Sequence, residues 1–410
     1  MTKPFGPLPP EFAYQHGSLT IAGRTATEWF AQYGSPVFVY DPAIIAARIA
    51  LFRSAMPAGV DLHYAVKANP YAPLLAAITP LVDGLDVASG GELALALDHK
   101  PAASISFAGP GKRDAELKVA IVAGATLNVE SEGEARRAFA IGDRLGIAPR
   151  LAVRVNPDIE LRGSGMKMGG RPSPFGIDAE RSAALVREIR DAEADWRGFH
   201  IFAGSQALDS EAIVETQAAT LALAARLSDE AGASPPLVNL GGGFGIPYFA
   251  GDTPVDLGRI GDALSDGLAS RASILAETRF AIELGRWLVG ECGVYLTRIV
   301  DRKVSRGETF LIVDGGLHHQ LAASGNFGTV VRRNYPVAVA HATGAEATET
   351  VSVVGCLCTP LDRLADRVAL PRADVGDVIA IFLAGAYGVT ASPTAFLGHP
   401  APIEVLATAS

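Results

Sequence analysis

Apolar positions along the chain gather into short runs, each followed by a segment with apolar residues at helical spacing. The runs are HYAVKA (63–68), LDVAS (85–89), SISFAG (104–109), TLNVES (126–131), LAVRVN (151–156), GFHIFAG (198–204), LVNLGGG (237–243) and FAIELGR (280–286). Their length and their β-branched and aromatic content predict strands. The stretches between them, such as GELALALDHK and EGEARRAFAIGDRLG, read as helices that pack one face. Eight strand–helix alternations in about 225 residues predict a closed (β/α)8 barrel. A doubly wound open sheet is the competing α/β architecture. Its dinucleotide fingerprint is missing, because GSGMKM puts Met168 and GGGFGI puts Ile246 where the third glycine belongs.

After residue 290 the pattern changes. GVYLTRIVDRKV, TFLIVDGG, ETVSVVGCL and DVIAIFL are strand-like runs with turns and little helix between them, which predicts a second, β-rich domain. The N-terminal LTIAG (19–23) is a further strand-like run, expected to join that domain. The predicted organisation is a barrel over 37–286 and a β-rich domain built from 1–36 and 287–410. Residues 378–403 carry no Asp, Glu, Lys or Arg, but three prolines, three glycines and a polar TASPT interrupt them. A buried strand followed by a functional loop fits better than a membrane span.

Composition narrows the function classes. With 35 basic and 44 acidic residues the net charge is −9, and no basic run offers a local site for nucleic acid or anionic lipid. MTKPFGPLPPEF has no apolar core of a secretory signal. Three cysteines, Cys292, Cys356 and Cys358, fit a reducing compartment, so a cytoplasmic location is expected.

Barrel enzymes keep their chemistry at the C-terminal ends of the strands. Those ends carry Lys67, Ser89, Asn128, Arg154, Asn156, His200, Phe202, Ser205, Gly241, Gly242, Gly243, Glu283 and Arg286. Lys67 interrupts an apolar run that reads as a buried strand. An unpaired buried ammonium is costly, so a lysine held there has a lowered pKa and a nucleophilic neutral amine. The glycine-rich turn after the seventh strand can cradle a phosphate with its N–H groups. Ser205 adds a hydroxyl and Arg286 a cation. Glu283, at the end of the eighth strand, can keep a heterocyclic nitrogen protonated. A Schiff-base lysine, a phosphate cradle and a carboxylate for a ring nitrogen are the three handles of pyridoxal 5′-phosphate (PLP).

YAVKAN, LDVASGGEL, GFHIFAGSQ, NLGGGFG, ELGR, VVGCLCTPLDRLA and AGAYG occur in the order seen in fold-type III PLP decarboxylases, a family that includes diaminopimelate, ornithine and arginine decarboxylases. The chain resembles that family from about residue 35 to PIEVL (402–406). GMKMGGRPSPFGID, FHIFAGSQ and CTPLDRLA are more similar to decarboxylases associated with exosortase A and exopolysaccharide clusters, which resemble carrier-protein-linked and siderophore-type decarboxylases. The resemblance implies an alanine-racemase-like barrel with a β-domain, and a homodimer with shared active sites. It implies Lys67 as the Schiff-base lysine and Glu283 as the partner of the pyridine nitrogen. Ser205, Gly243, Arg286 and Tyr387 then serve the phosphate and cofactor, with Gly241, Gly242 and Gly285 in the same motifs. Cys358 is the catalytic cysteine, Asp362 the carboxylate that follows it, and Cys356 a structural thiol. Asp86 and Glu92 match further acidic positions of the pocket.

Three departures separate the chain from that pattern. Phe202 stands where the family stacks a histidine on the cofactor, and His200 points to the same face two residues earlier. Stacking by either residue stays open. CTPLD replaces the CESGD of diaminopimelate decarboxylases, so Thr359 replaces the glutamate that reads a distal ammonium. PFGI (174–177) lacks the lysine usual before its phenylalanine.

The reaction implied is α-decarboxylation of an amino acid, free or tethered to an acyl carrier protein. Cys358 is the general acid, with Lys67 as another candidate. Diaminopimelate decarboxylation proper is one alternative. A racemase normally places an arginine opposite the ring nitrogen, against Glu283. A non-catalytic PLP-binding protein has no need of Cys358 and Asp362. His318 and His319 raise metal ligation, but no H-x-x-x-H or Cys–His spacing accompanies them, so no metal is expected.

Overall fold

The computed structural model describes residues 2–15, 17–158, 166–167, 172–325 and 333–407. Part of the GMKMGGRPSPFGID motif, including Met168, lies outside them. The chain forms two compact units: Arg48–Gly245 with Val255–Gly285, and Met1–Ala47 with Ile246–Pro254 and Arg286–Ser410.

The first unit is the predicted barrel. Its strands are β1 (Val60–Ala65), β2 (Gly84–Val87), β3 (Ile105–Phe107), β4 (Thr126–Val129), β5 (Arg150–Asn156), β6 (Asp195–Ile201), β7 (Leu237–Gly242) and β8 (Arg279–Leu284). They are parallel and pair in the order β5-β6-β7-β8-β1-β2-β3-β4, and β4 returns to β5 to close the ring. Every run read from the sequence overlaps one of them, although HYAVKA and GFHIFAG each begin three residues into their strand. Side chains alternate along a strand. Leu62 and Tyr64 of β1, both fully buried, alternate with inward-facing His63 and Ala65. The helices are bounded by local chemistry. Glu132–Leu145, for example, starts at Ser131, whose hydroxyl accepts the Glu134 N–H, and ends at Gly146 in the left-handed region.

Barrel interiors are usually filled by branched aliphatic residues. Here the buried residues of the strands include His63, Asp86, Asn128, Arg154, His200, Asn239 and Glu283. Such groups persist in a barrel only when they pair with one another. Register brings several together: His63 lies opposite Glu283 on one side and Gly84 on the other, and His200 lies opposite Arg154 and Asn239.

The second unit is β-rich, as predicted. Its strands are β9 (Gly293–Ser305), β10 (Glu308–Val313), β11 (Val337–Val339), β12 (Glu349–Val354), β13 (Arg363–Leu370) and β14 (Val378–Ile381), ordered β11-β14-β9-β10-β12-β13. A strand at Val37–Tyr40 pairs with β9 and with Ile403–Leu406. The LTIAG run forms Ser18–Ile21 in a small three-stranded sheet and joins this unit, where the Leu19 N–H donates to the Ala340 carbonyl at 2.8 Å. The uncharged stretch from residue 378 begins with buried β14 and continues as loop and short 3-10 turns. Among the described residues no helix is long and apolar enough to cross a membrane.

Candidate active site

β1 ends at Ala65, and Val66–Ala68 form a 3-10 turn. Lys67 is therefore not inside a buried strand, as its run suggests. Its side chain is 47% exposed, with Nζ 4.0 Å from Glu283 Oε1. The correction has a physical reason: a lysine on the turn after a strand keeps its stem on the barrel rim and its ammonium in reach of water. Nζ also lies 5.7 Å from the centroid of the Phe202 ring, an arrangement in which the ring face attracts the cation.

Glu283 is the penultimate residue of β8 and is 7% exposed. Its second oxygen meets His200 Nε2 at 2.9 Å. β6 and β8 are separated by β7, so this bond passes through the barrel interior. Burial favours the neutral acid. The His200 hydrogen bond and the charges of Lys67, His200 and Arg154 outweigh burial and hold the carboxyl well below the usual carboxylate range.

Asp86 lies deeper. One oxygen accepts from the Ser106 hydroxyl, and the other is 3.3 Å from His63 Nδ1. Burial alone would push His63 down, but Asp86 foremost, with Asp61 and Glu283, overrides it and raises the imidazole. Glu92 accepts the Ala88 N–H at 2.7 Å at the start of the next helix, and its burial pushes its carboxyl up.

Gly241, Gly242 and Gly243 are fixed by crowding. Gly241 and Gly243 have φ of +70° and +77°. A Cβ on Gly241 would lie 2.6 Å from the Ile201 carbonyl oxygen, and one on Gly242 or Gly243 would collide with the carbonyl of Glu283 or Gly204. The turn therefore runs as bare backbone past Ser205 and β8. Gly285 closes β8 against Ala68, whose Cβ would lie 2.9 Å from a Cβ there.

Arg286 and Tyr387 belong to the β-rich unit and meet each other. The guanidinium carbon lies 4.8 Å from the Tyr387 ring centroid, and Nη1 donates to the Tyr248 hydroxyl at 3.3 Å. Arg286 Nε is buried without a partner among the described residues. Tyr387 has φ of +54°, a conformation uncommon for a bulky side chain and frequent at functional loops.

Cys358 is exposed, Cys356 half-buried and Cys292 buried, all as free thiols. Asp362 is 3% exposed. Its oxygens accept the N–H groups of Leu317 at 2.7 Å and Leu357 at 2.8 Å.

Within the barrel unit the structure thus brings together Lys67, Phe202, His200 and Glu283, with Ser205 beside the glycine turn. In the β-rich unit it brings together Arg286 and Tyr387. Sequence reasoning missed His63, although period-two spacing from Ala65 and Lys67 marks it as inward-facing. It also missed Glu130, which takes Arg154 Nη1 at 2.8 Å and the Gly176 N–H at 3.1 Å. Only the fold brings those three segments into contact.

A family model describing the pyridoxal-binding domain of pyridoxal-dependent decarboxylases matches residues 43–290. The L-glutamyl-[BtrI acyl-carrier protein] decarboxylase of Niallia circulans is 36% identical over 382 residues, covering 92% of this chain and 89% of that protein. A diaminopimelate decarboxylase of Archaeoglobus fulgidus is 32% identical over 403 residues, covering 96% and 93%. The solved diaminopimelate decarboxylase of M. jannaschii, in co-complex with L-lysine, superposes with a TM-score of 0.87 at 26% identity, over 97% of this chain and 93% of that one. The chain belongs to the fold-type III pyridoxal-dependent decarboxylases. It is a carboxy-lyase that uses PLP and acts on an amino acid. The donor set fits that cofactor: a half-exposed amine, a buried carboxylate kept ionised, and a turn of bare backbone with no room for a Cβ.

Proposed function

We propose that this decarboxylase acts on an amino acid presented as a thioester on a carrier protein, such as a glutamyl group, rather than on diaminopimelate. The observation that carries this reading is the missing carboxylate at position 359 of Cys358–Asp362. Asp362 is turned inward onto two backbone N–H groups, and Thr359 stands where a distal ammonium would meet a glutamate. A substrate whose far end is an amide or thioester needs no such carboxylate. The 36% identity to a decarboxylase of a carrier-bound glutamyl group supports the same reading.

Lys67 Nζ would hold the cofactor, and Glu283 would keep the proton on its ring nitrogen. The chemistry the cofactor would supply when bound is an electron sink. Phe202, whose ring centroid lies 5.7 Å from Lys67 Nζ, would be the residue to pack against the cofactor. His200 is engaged below it with Glu283 and acts as a positioning residue. Asp86, with His63, supports the barrel interior beneath. Ser205, Gly241, Gly242, Gly243 and Gly285 would bind the phosphate end; Arg286 and Tyr387 are assigned as cofactor contacts from the family pattern. Cys358 delivers the proton to Cα, and Asp362 shapes the loop that carries it. The family pattern supports a homodimer in which Cys358 of one chain serves the barrel of the other. Three unpaired cysteines support a cytoplasmic location.

The test compares kcat/KM for a carrier-bound L-glutamyl thioester with that for meso-diaminopimelate. A charge-assisted contact contributes about 1.5–3 kcal/mol, so diaminopimelate should be the poorer substrate by at least about tenfold. Equal or better use of diaminopimelate would overturn the reading.

A further inference from the structure

Three loops of the β-rich unit bring nitrogen and sulfur donors together beside the Cys358–Asp362 loop. His318 follows β10, Cys356 follows β12, and His399 lies shortly before the last strand. Each offers one ligand atom, and these atoms all lie within 4.8 Å of one another. Cys356 Sγ is 3.8 Å from Nδ1 and 3.9 Å from Nε2 of His399. The rings of His318 and His399 are 5.3 Å apart between centroids.

His318 supplies an independent observation. It is completely buried, yet neither ring nitrogen has a hydrogen-bond partner among the described residues. Buried polar atoms in native proteins are nearly always partnered, and an exception calls for an explanation such as an ion. Its neighbour shows the contrast. His319 is also buried, but its Nδ1 meets the Tyr295 hydroxyl at 3.0 Å and its Nε2 meets the Pro400 carbonyl at 3.0 Å. Of two adjacent histidines, one is a satisfied core residue and the other faces a thiol and a second imidazole with both nitrogens unused.

We propose that His318, Cys356 and His399 bind a divalent metal ion of borderline softness, Zn2+ foremost, through two imidazole nitrogens and one thiolate. Bond lengths of about 2.0–2.1 Å to nitrogen and 2.3 Å to sulfur place tetrahedral donors roughly 3.3–3.6 Å apart. The sulfur–nitrogen separations found here are slightly wider, and rotation of the half-exposed His399 side chain closes that gap. Thiolate and imidazole donors select Zn2+ or copper over the oxygen-seeking Mg2+, Ca2+ and Mn2+. Binding displaces the Cys356 proton to solvent as the metal–sulfur bond forms. Three protein ligands leave a fourth position for water or an external ligand. The ion would tie three loops together, two residues from Cys358. No sequence spacing announces the site, because its ligands stand at 318, 356 and 399.

The test uses the PLP-loaded full-length protein, freed of metal with a chelator and then titrated with Zn2+ against a chromophoric competitor. One ion per chain is expected at micromolar concentration or below. Co2+ in its place should show a thiolate-to-metal charge-transfer band together with the intense ligand-field bands of a four-coordinate ion. Cys356→Ser and His399→Ala, both at partly exposed positions, should each weaken binding by about 100-fold or more, beyond the 10–100-fold typical of losing an outer-shell partner. Cys358→Ser should bind as the parent does. Absence of binding at micromolar Zn2+, a Co2+ complex without the charge-transfer band, or affinity that follows Cys358 rather than Cys356 would overturn the proposal.

Discussion

The carboxyl of Glu283 stands between His200 on one side and Lys67 on the other, inside a barrel wall. Its charge survives burial because positive groups and a 2.9 Å hydrogen bond face it. Glu283→Gln keeps the shape and removes the charge, so the protein should still bind PLP while kcat falls by about 10²–10³, the usual effect of deleting one preorganised electrostatic group. Activity near that of the parent would exclude the assigned role. The same geometry makes a pH prediction. The folded-state pKa of Glu283 lies below its unfolded value of about 4.3, so its ionised form stabilises the fold above that value, and this contribution is lost as pH falls through the lower folded value. His200→Ala removes the largest of the lowering influences and leaves burial opposed only by Lys67 and Arg154. The acid limb of kcat/KM should then move upward by about one pH unit, and an unmoved limb would mean that His200 does not set the charge state. Lys67 and Glu283 were legible in the sequence because each interrupts an apolar run at a strand end. The contact of His63 with Asp86 was not, since pairing between neighbouring strands depends on register that no single run contains.

At the scale of elements, one side chain organises two loops. Asp362 accepts the N–H groups of Leu317 and Leu357, and a Cβ at Gly316 or Gly355 would collide with its carboxylate. The two glycines are what let the loops close on it. Asp362→Ala leaves two buried N–H groups without acceptors, at about 1–3 kcal/mol each. Differential scanning calorimetry should show a Tm several degrees lower, whereas a Tm within about a degree of the parent would mean that water replaces the carboxylate without loss. The eight barrel strands were legible as runs, but several runs extend past the strand into the following turn, as HYAVKA does at Lys67. Residues that still look apolar there have left the ladder. β13 escaped notice because Arg363, Asp366 and Arg367 break its alternation; its charges are held by Asp366 pairing with Arg363 and Lys3. The loops around Asp362 had no signal beyond their motif, since their closure joins Leu317 to Asp362, 45 positions apart.

For the whole molecule, the proposed homodimer, with Lys67 in one chain's barrel and Cys358 on the partner's loop, would make the active site a property of the dimer. A two-fold interface repeats the exchange on both sides. Apolar patterning shows each unit but not which surface meets a second copy, so this feature rests on the family pattern. Lys67→Ala and Cys358→Ala should each be nearly inactive alone. Mixed under conditions that exchange subunits, they form heterodimers with one site carrying both lesions and one carrying neither. Random pairing makes half the dimers mixed, so CO2 release should recover to roughly a quarter of the parent rate. Recovery of that size is the predicted result. No recovery, with subunit exchange demonstrated by mass spectrometry, would contradict a decarboxylation site completed by Cys358 of the second chain.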